Sequence, residues 1–281
     1  MRTTQASSTA LGTAAVRAIE TEKPPSIRIC NDPYARALAS STVYSLIKLF
    51  YNYGERRTQG ALTFIVCRHR FMDDYLEKCL QSSTSQVVIL GAGLDSRAYR
   101  DGFSKATVFE IDHPATQASK IKKVIKIFGK LPDQVTYVPV DFDRETLDKL
   151  LSHGFDKTAK TLFIWEGVTP YITAEAVDAT LAWIHENSAK NSAVVFDYHL
   201  AIEARLDPER GLLSSLLSRL SGENKRAFTI APGSVVDFLT NRGFVNVVEA
   251  GSEQLKGLYC IGPNKGRKVI NTYSIVCAEV G

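Results

Sequence analysis

Apolar residues along this chain follow two rhythms, and the change from one to the other marks out its elements. Val87, Val88, Ile89 and Leu90 form an unbroken apolar, β-branched-rich run, the pattern of a strand buried on both faces. Comparable runs at 105–111, 134–140, 161–165, 192–196, 244–249 and 270–280 predict seven strands in all. Between them the spacing becomes helical at 94–102, 115–128, 145–151 and 232–242, the last closed by Gly243. Another helix starts at Thr173, a side chain that caps well, and runs to about 187. It carries Ala174, Val177, Leu181 and Ile184 on its buried face. Regular alternation of this kind predicts an α/β fold with a doubly wound, mostly parallel sheet, whose carboxyl edge is the binding edge.

Residues 1–85 lack strand alternation and read as helices at 9–20, from near Tyr34, at 43–53 and at 60–80. Pro24 and Pro25 end the first, and Asn31-Asp32-Pro33 caps the second. The large apolar residues of 43–53 are either a core-facing helix or the wall of a substrate cavity. In 200–230, Leu212, Leu213, Leu216, Leu217 and Leu220 make an amphipathic helix that either caps the core or forms a lid. Residues 251–268 are too rich in glycine and lysine to predict regular structure. With no linker or repeat, we expect a single domain over 1–281. It divides into a helical extension (1–85), a ligand-binding core (86–199), an insertion (200–230) and the rest of the sheet (231–281).

Composition narrows the class without naming a function. The chain of 281 residues is 44% hydrophobic and 23% charged, with a formal net charge of +4, as expected of a globular protein. The basic run Lys120-Ile121-Lys122-Lys123 is read as a solvated helix face, so no nucleic-acid partner is expected. Five cysteines, none in a CxxC pair, read as reduced thiols. No apolar span reaches transmembrane length and the polar start has no signal-peptide core, so a cytoplasmic protein without a membrane partner is expected. The five histidines show no metal-ligand spacing, and no metal is expected.

Chemistry concentrates where the first strand ends. Gly91-Ala92-Gly93 permits a tight turn and close approach of backbone to a ligand. The second strand ends in Asp112, about 20 residues beyond the turn, where an acid takes the hydroxyls of a ribose. A dinucleotide fingerprint needs a third glycine, yet Ser96 stands there with Asp95 and Asp101 nearby, and these acids would repel a pyrophosphate. They suit a cationic ligand with a ribose and no phosphate, and S-adenosyl-L-methionine is one. Acids also recur at the later strand ends, as Asp141, Glu166 and Asp197.

VVILGAGLDSRAYR, VFEIDHPATQASK, VPVDF and FIWEGVTPYIT, with ALGTAAVRAIE, NDPYA and CRHRFMDDYL before them, resemble the leucine carboxyl methyltransferase-like family. The similarity is to its small-molecule O-methyltransferase branch and covers most of the chain to Tyr198. It implies a class I methyltransferase (Rossmann-like) fold with a seven-stranded, mostly parallel sheet whose last strand is antiparallel, a helical N-terminal extension and a lid insertion after the fifth strand. It also implies S-adenosyl-L-methionine as cofactor. Arg68 matches the arginine on the methionine carboxylate, with Arg70 as its neighbour; two residues apart on a helix they point to different faces, which favours Arg68. Gly91 and Gly93 lie under the methionine and ribose, Asp112 on the ribose hydroxyls, and Asp141 with the Phe142 backbone at the adenine amino edge. Glu166 is near the methionine ammonium, and Glu110 is structural.

The reaction implied is an SN2 displacement on an activated sulfonium, for which the protein supplies position and a dry site. A small-molecule carboxylate acceptor, as in a polyketide-like metabolite, needs no general base. A phenol or alcohol would need one, and His199 is the candidate, set against a histidine merely satisfied at a strand end. A protein C-terminal carboxylate is a further acceptor within the same chemistry. An NAD-type oxidoreductase and a non-catalytic cofactor-binding fold are the alternatives from other classes.

Overall fold

The two rhythms become one mixed sheet with helices on both faces. The computed structural model describes residues 8–100, 106–201 and 228–281. Four helices come first: α1 (Ser8–Thr21), α2 (Ala35–Leu38), α3 (Ser41–Arg57) and α4 (Ala61–Gln81). The strands are β1 (Gln86–Leu90), β2 (Thr107–Asp112), β3 (Val135–Pro139), β4 (Thr161–Trp165), β5 (Ala193–Leu200), β6 (Thr229–Ile230), β7 (Phe244–Ala250) and β8 (Tyr273–Val280). Helices Pro114–Phe128, Lys149–Ser152 and Ala174–Asn187 connect the strands of the parallel part.

The sheet runs β3-β2-β1-β4-β5-β8-β7, so the seven expected strands form its continuous path. The two-residue β6 is an eighth, paired beside β5. β1 to β5 are mutually parallel, and β8 is antiparallel to both β5 and β7. Strand order reverses between β1 and β4, which opens a crevice at their carboxyl ends. Alternate side chains of each central strand feed two cores, as period-2 geometry requires. Val87, Ile89, Leu162, Ile164 and Val195 pack with α4, whereas Val88, Leu90, Phe163, Trp165 and Phe196 pack with helix Ala174–Asn187. A third cluster joins Ala14, Ala18, Leu38 and Tyr44 to Leu94 and thereby lays α1 against the glycine turn.

Several expectations change. The helix expected over 94–102 is a three-residue 3₁₀ turn, Arg97–Tyr99. Asp95 accepts the Arg97 N–H through its side chain at 2.7 Å, a local bond that competes with helix formation. Helix Ser252–Tyr259 occupies a stretch expected to be irregular, because Leu255 buries itself completely in the core that α4 shares. Lys120 is not on a solvated face. It is 1% exposed and pairs with the equally buried Glu110 at 2.8 Å. The 232–242 helix shortens to Val235–Thr240, and β5 continues past Phe196 to include Asp197, Tyr198 and His199. Of the 200–230 insertion, expected either to cap the core or to form a lid, residues 202–227 with all five of its leucines lie outside the described residues, as does Asp101.

Candidate functional site

A cleft opens at the β1–β4 crevice, built by residues far apart in sequence. Its floor is Gly91 to Asp95 after β1 and Glu166-Gly167 after β4. Thr9, Ala10, Thr13 and Arg17, one face of α1, form a wall, opposed by Ala61, Phe64, Ile65 and Arg68 of α4. Pro170, Tyr171, Asp197, Ile270 and Tyr273 complete it. Gly91 has φ +65°, and a Cβ there would collide with Val168 Cγ2, so the turn needs glycine for both conformation and space. Gly167, beneath Arg68, needs glycine chiefly for conformation, with φ +70°, and a Cβ there would make a tight contact with the Arg68 guanidinium at 3.2 Å.

Arg68 is buried and donates from Nη1 to Asp197 Oδ2 at 2.8 Å and from Nε to Glu166 Oε1 at 3.1 Å. Arg70 faces away, half exposed, and pairs with Asp74 at 2.6 Å. Burial alone raises the Glu166 pKa, but Arg97, His69 and Arg68 outweigh it and hold this carboxyl well below the usual carboxylate range. Asp197 goes the other way. Burial pushes its carboxyl above the ordinary value although Arg68 and the Gly167 N–H, donated to Oδ1 at 2.6 Å, pull it down. On the far wall Arg17 donates to Asp32 Oδ2 at 2.9 Å and to the Leu94 carbonyl at 2.8 Å, tying α1 to the glycine turn.

Other residues singled out from the sequence stand outside this cleft. Asp112 closes β2 beside it, with Oδ2 accepting the Gly93 N–H at 2.5 Å and Oδ1 the His113 N–H at 2.7 Å. Each oxygen keeps a second lone pair. Burial raises the Asp112 pKa against these two bonds. Asp141 follows β3 and is partly exposed, its Oδ1 accepting the Asp143 N–H, and Phe142 lies over Trp165 at 6.3 Å between ring centroids. His199 packs on Tyr273 at 4.4 Å and is not part of the cleft wall. Arg17, Tyr171 and Tyr273 line the cleft without having been given a site role from the sequence, whereas Asp95 had been read as suiting a cationic ligand. A basic or acidic residue in each of ALGTAAVRAIE and GLDSRAYR was the available signal.

The charges that line the cleft test whether the expected cofactor fits. Two guanidinium groups, Arg17 and Arg68, face three carboxyls, Asp95, Glu166 and Asp197. With all five ionised the wall carries one net negative charge. S-adenosyl-L-methionine has one carboxylate, one ammonium and one sulfonium, a net charge of plus one, and therefore complements it. A pyrophosphate would meet the opposite balance.

Comparison with known proteins agrees with this geometry. The sequence model of the leucine carboxyl methyltransferase family matches residues 10–185. A Streptomyces coelicolor protein is 36% identical over 188 residues, covering 66% of this chain and 66% of the relative. A Mycobacterium avium protein is 30% identical over 255 residues, covering 84% and 82%. Both are named as S-adenosyl-L-methionine-dependent methyltransferases by assignment rather than by a demonstrated activity. For the first of these the match thus spans just under two thirds of the relative. A solved structure from Thermobifida fusca, likewise assigned as a methyltransferase, superimposes with a TM-score of 0.59 at 13% identity, covering 98% of this chain and 95% of that one. At that identity the likeness concerns the fold, a mostly parallel α/β sheet of class I methyltransferase type. S-adenosyl-L-methionine is the cofactor that goes with these relationships, and the chain belongs to the leucine carboxyl methyltransferase family.

Proposed function

We propose that this chain is an O-methyltransferase that moves the methyl group of S-adenosyl-L-methionine to the carboxylate of a small molecule. The cofactor, when bound, supplies a methyl group already activated on a sulfonium. Arg68 would hold its methionine carboxylate with a guanidinium fork and Glu166 its ammonium. Gly91 and Gly93 would let the backbone lie close beneath it, and Asp112 would accept the ribose hydroxyls. Asp141 and the Phe142 backbone, at the outer end of the same sheet edge, would take the adenine. Phe64, Ile65, Pro170, Tyr171, Ile270 and Tyr273 would exclude water around the acceptor.

The observation that favours a carboxylate over a hydroxyl acceptor is the absence of a histidine from the cleft wall. All five histidines of the chain are among the described residues, and none lines it. A carboxylate is ionised at neutral pH and needs no proton removed. Burial pushes Tyr273 up to about 12, so this phenol stays protonated and is a poor base.

The test is methyl transfer from labelled cofactor into panels of small carboxylic acids and phenols, with wild type and His199→Gln. Products are expected among the acids, with turnover of the variant within a few-fold of wild type and a rate flat from pH 6 to 8. Loss of a general base typically costs about 10²–10⁴-fold. A fall of that size in folded His199→Gln, with a wild-type rate rising through pH 6 to 8, would move the acceptor to a phenol or alcohol.

A further inference from the structure

Behind the cleft, Glu166 is held from three directions. Oε1 accepts from Arg68 Nε at 3.1 Å, and Oε2 accepts from Arg97 Nη1 at 2.8 Å. His69 Nδ1 stands 3.1 Å from the same Oε2. The role of this imidazole follows from its other side. Guanidinium groups, which can only donate, stand beside both ring nitrogens, Arg100 Nη2 at 2.6 Å from Nε2 and Arg97 Nη2 at 2.9 Å from Nδ1. Only Nδ1 also faces a carboxylate oxygen within hydrogen-bond distance, and Arg97 Nη2 has the His69 carbonyl to donate to. The arrangement that satisfies most groups makes Nε2 the acceptor and puts the ring proton on Nδ1. Nδ1–H therefore donates to Glu166, while Arg97 Nη2 donates to the His69 carbonyl at 3.1 Å. His69 and Arg97 are both 0% exposed, so neither touches a ligand in the cleft.

The outer end of this chain is fixed as well. Arg100 Nη1 donates to Asp73 Oδ2 at 2.8 Å, and Arg97 Nε to Asp73 Oδ1 at 2.6 Å. Asp32 accepts from Arg17 and Ser96 and lies 3.4 Å from Arg100. A carboxylate with one buried donor could swing to follow a ligand. One with three donors in fixed directions keeps its remaining lone pair in a fixed direction as well, beside the cleft that Glu166 lines.

We propose that His69 and Arg97 are positioning residues that lock the Glu166 carboxylate for the ammonium of the cofactor's amino-acid end, with Arg100 fixing the tautomer of His69. This rests on the assignment of Glu166 to the ammonium in the proposed function. Recognition of the amino-acid end is thereby preorganised in the free protein. Burial and the neighbouring Arg97 lower the His69 pKa, which keeps the imidazole neutral as the arrangement requires.

Two probes isolate the effect. S-adenosylhomocysteine and 5′-methylthioadenosine share adenosine and a neutral sulfur, and only the first has the amino-acid end. Calorimetry of the full chain compares the affinity ratio of the two probes in each variant, with thermal melting as a check of folding. Glu166→Gln and His69→Leu are each expected to lower the ratio by about tenfold or more, the effect of weakening a hydrogen bond to a charged group. His69→Gln, whose amide can donate to Glu166 and accept from Arg100, is expected to restore most of it. In the double variant His69→Leu should add little to Glu166→Gln, because both act on one contact. If Glu166→Gln lowers the ratio and folded His69→Leu does not, the positioning role is overturned and the ammonium assignment stands. If Glu166→Gln leaves the ratio at wild type, the ammonium assignment fails and the positioning role with it. Should His69→Leu not fold, Arg97→Lys, which keeps the charge and loses the fork, is read the same way: a lowered ratio supports the role and an unchanged ratio overturns it.

Discussion

Arg68→Ala is expected to unfold at markedly lower denaturant and to bind S-adenosylhomocysteine at least tenfold more weakly. Arg68 is buried against Asp197 and Glu166, themselves 0% and 8% exposed at the side chain. Removing one partner from a buried ion pair costs about 3–5 kcal/mol, because the remaining charge has neither water nor a counter-ion. Here Asp197 is left with the Gly167 N–H and no cation beside it among the described residues, whereas Glu166 keeps Arg97 and His69. Arg68→Lys retains the charge and loses the fork, so it should recover more stability than affinity. Urea unfolding with calorimetry on the same samples makes both readings. Wild-type stability in Arg68→Ala would show that the pairing with Asp197 and Glu166 contributes little, and wild-type affinity would remove Arg68 from the cofactor site.

Asp112→Ala is expected to separate binding from stability in the opposite sense. Two hydrogen bonds from ribose hydroxyls to a carboxylate, at about 1.5–3 kcal/mol each, put the loss of affinity near a hundredfold or more. Folding should hardly suffer. Burial raises the Asp112 pKa in the folded chain, so its ionisation opposes folding at neutral pH. The stability it takes away is recovered as pH falls through the raised folded-state value and is fully restored once pH is below the ordinary one. The neutral isostere Asp112→Asn keeps an acceptor for the Gly93 N–H and should fold at least as well as wild type. Affinity unchanged in a folded Asp112→Ala would place the ribose elsewhere.

The sheet was legible because its central strands are buried on both faces, which leaves uninterrupted runs such as Val87–Leu90 between glycine and acid punctuation. Gly91, Gly93 and Asp112 were readable as a turn and a strand end, because glycine and acid punctuate the buried runs on either side. The turn at Arg97–Tyr99 was not, since polar side chains bonded to nearby backbone rather than apolar spacing decide its shape. Lys120 misled because a lysine run looks solvated, and its partner Glu110 sits on a strand ten residues earlier.

The buried charge network had no local signature either. Arg97 reaches Glu166 across 69 positions and His69 across 28, and only the fold brings them together. CRHRFMDD and GLDSRAYR contained most of its members, with Asp32 and Glu166 elsewhere in the chain, but a charge-rich stretch reads equally as surface until a partner is known. Asp197 was noticed as an acid after a strand. Its position within β5, paired to Ile275 of β8, is what buries it and turns it toward Arg68.

Titration calorimetry of the full chain with S-adenosylhomocysteine, and separately with NAD, bears most directly on the reading of this cleft as a site for an adenosyl-sulfur cofactor. Saturable one-to-one binding of S-adenosylhomocysteine with no heat from NAD is expected. NAD binding in the absence of any response to S-adenosylhomocysteine would contradict it.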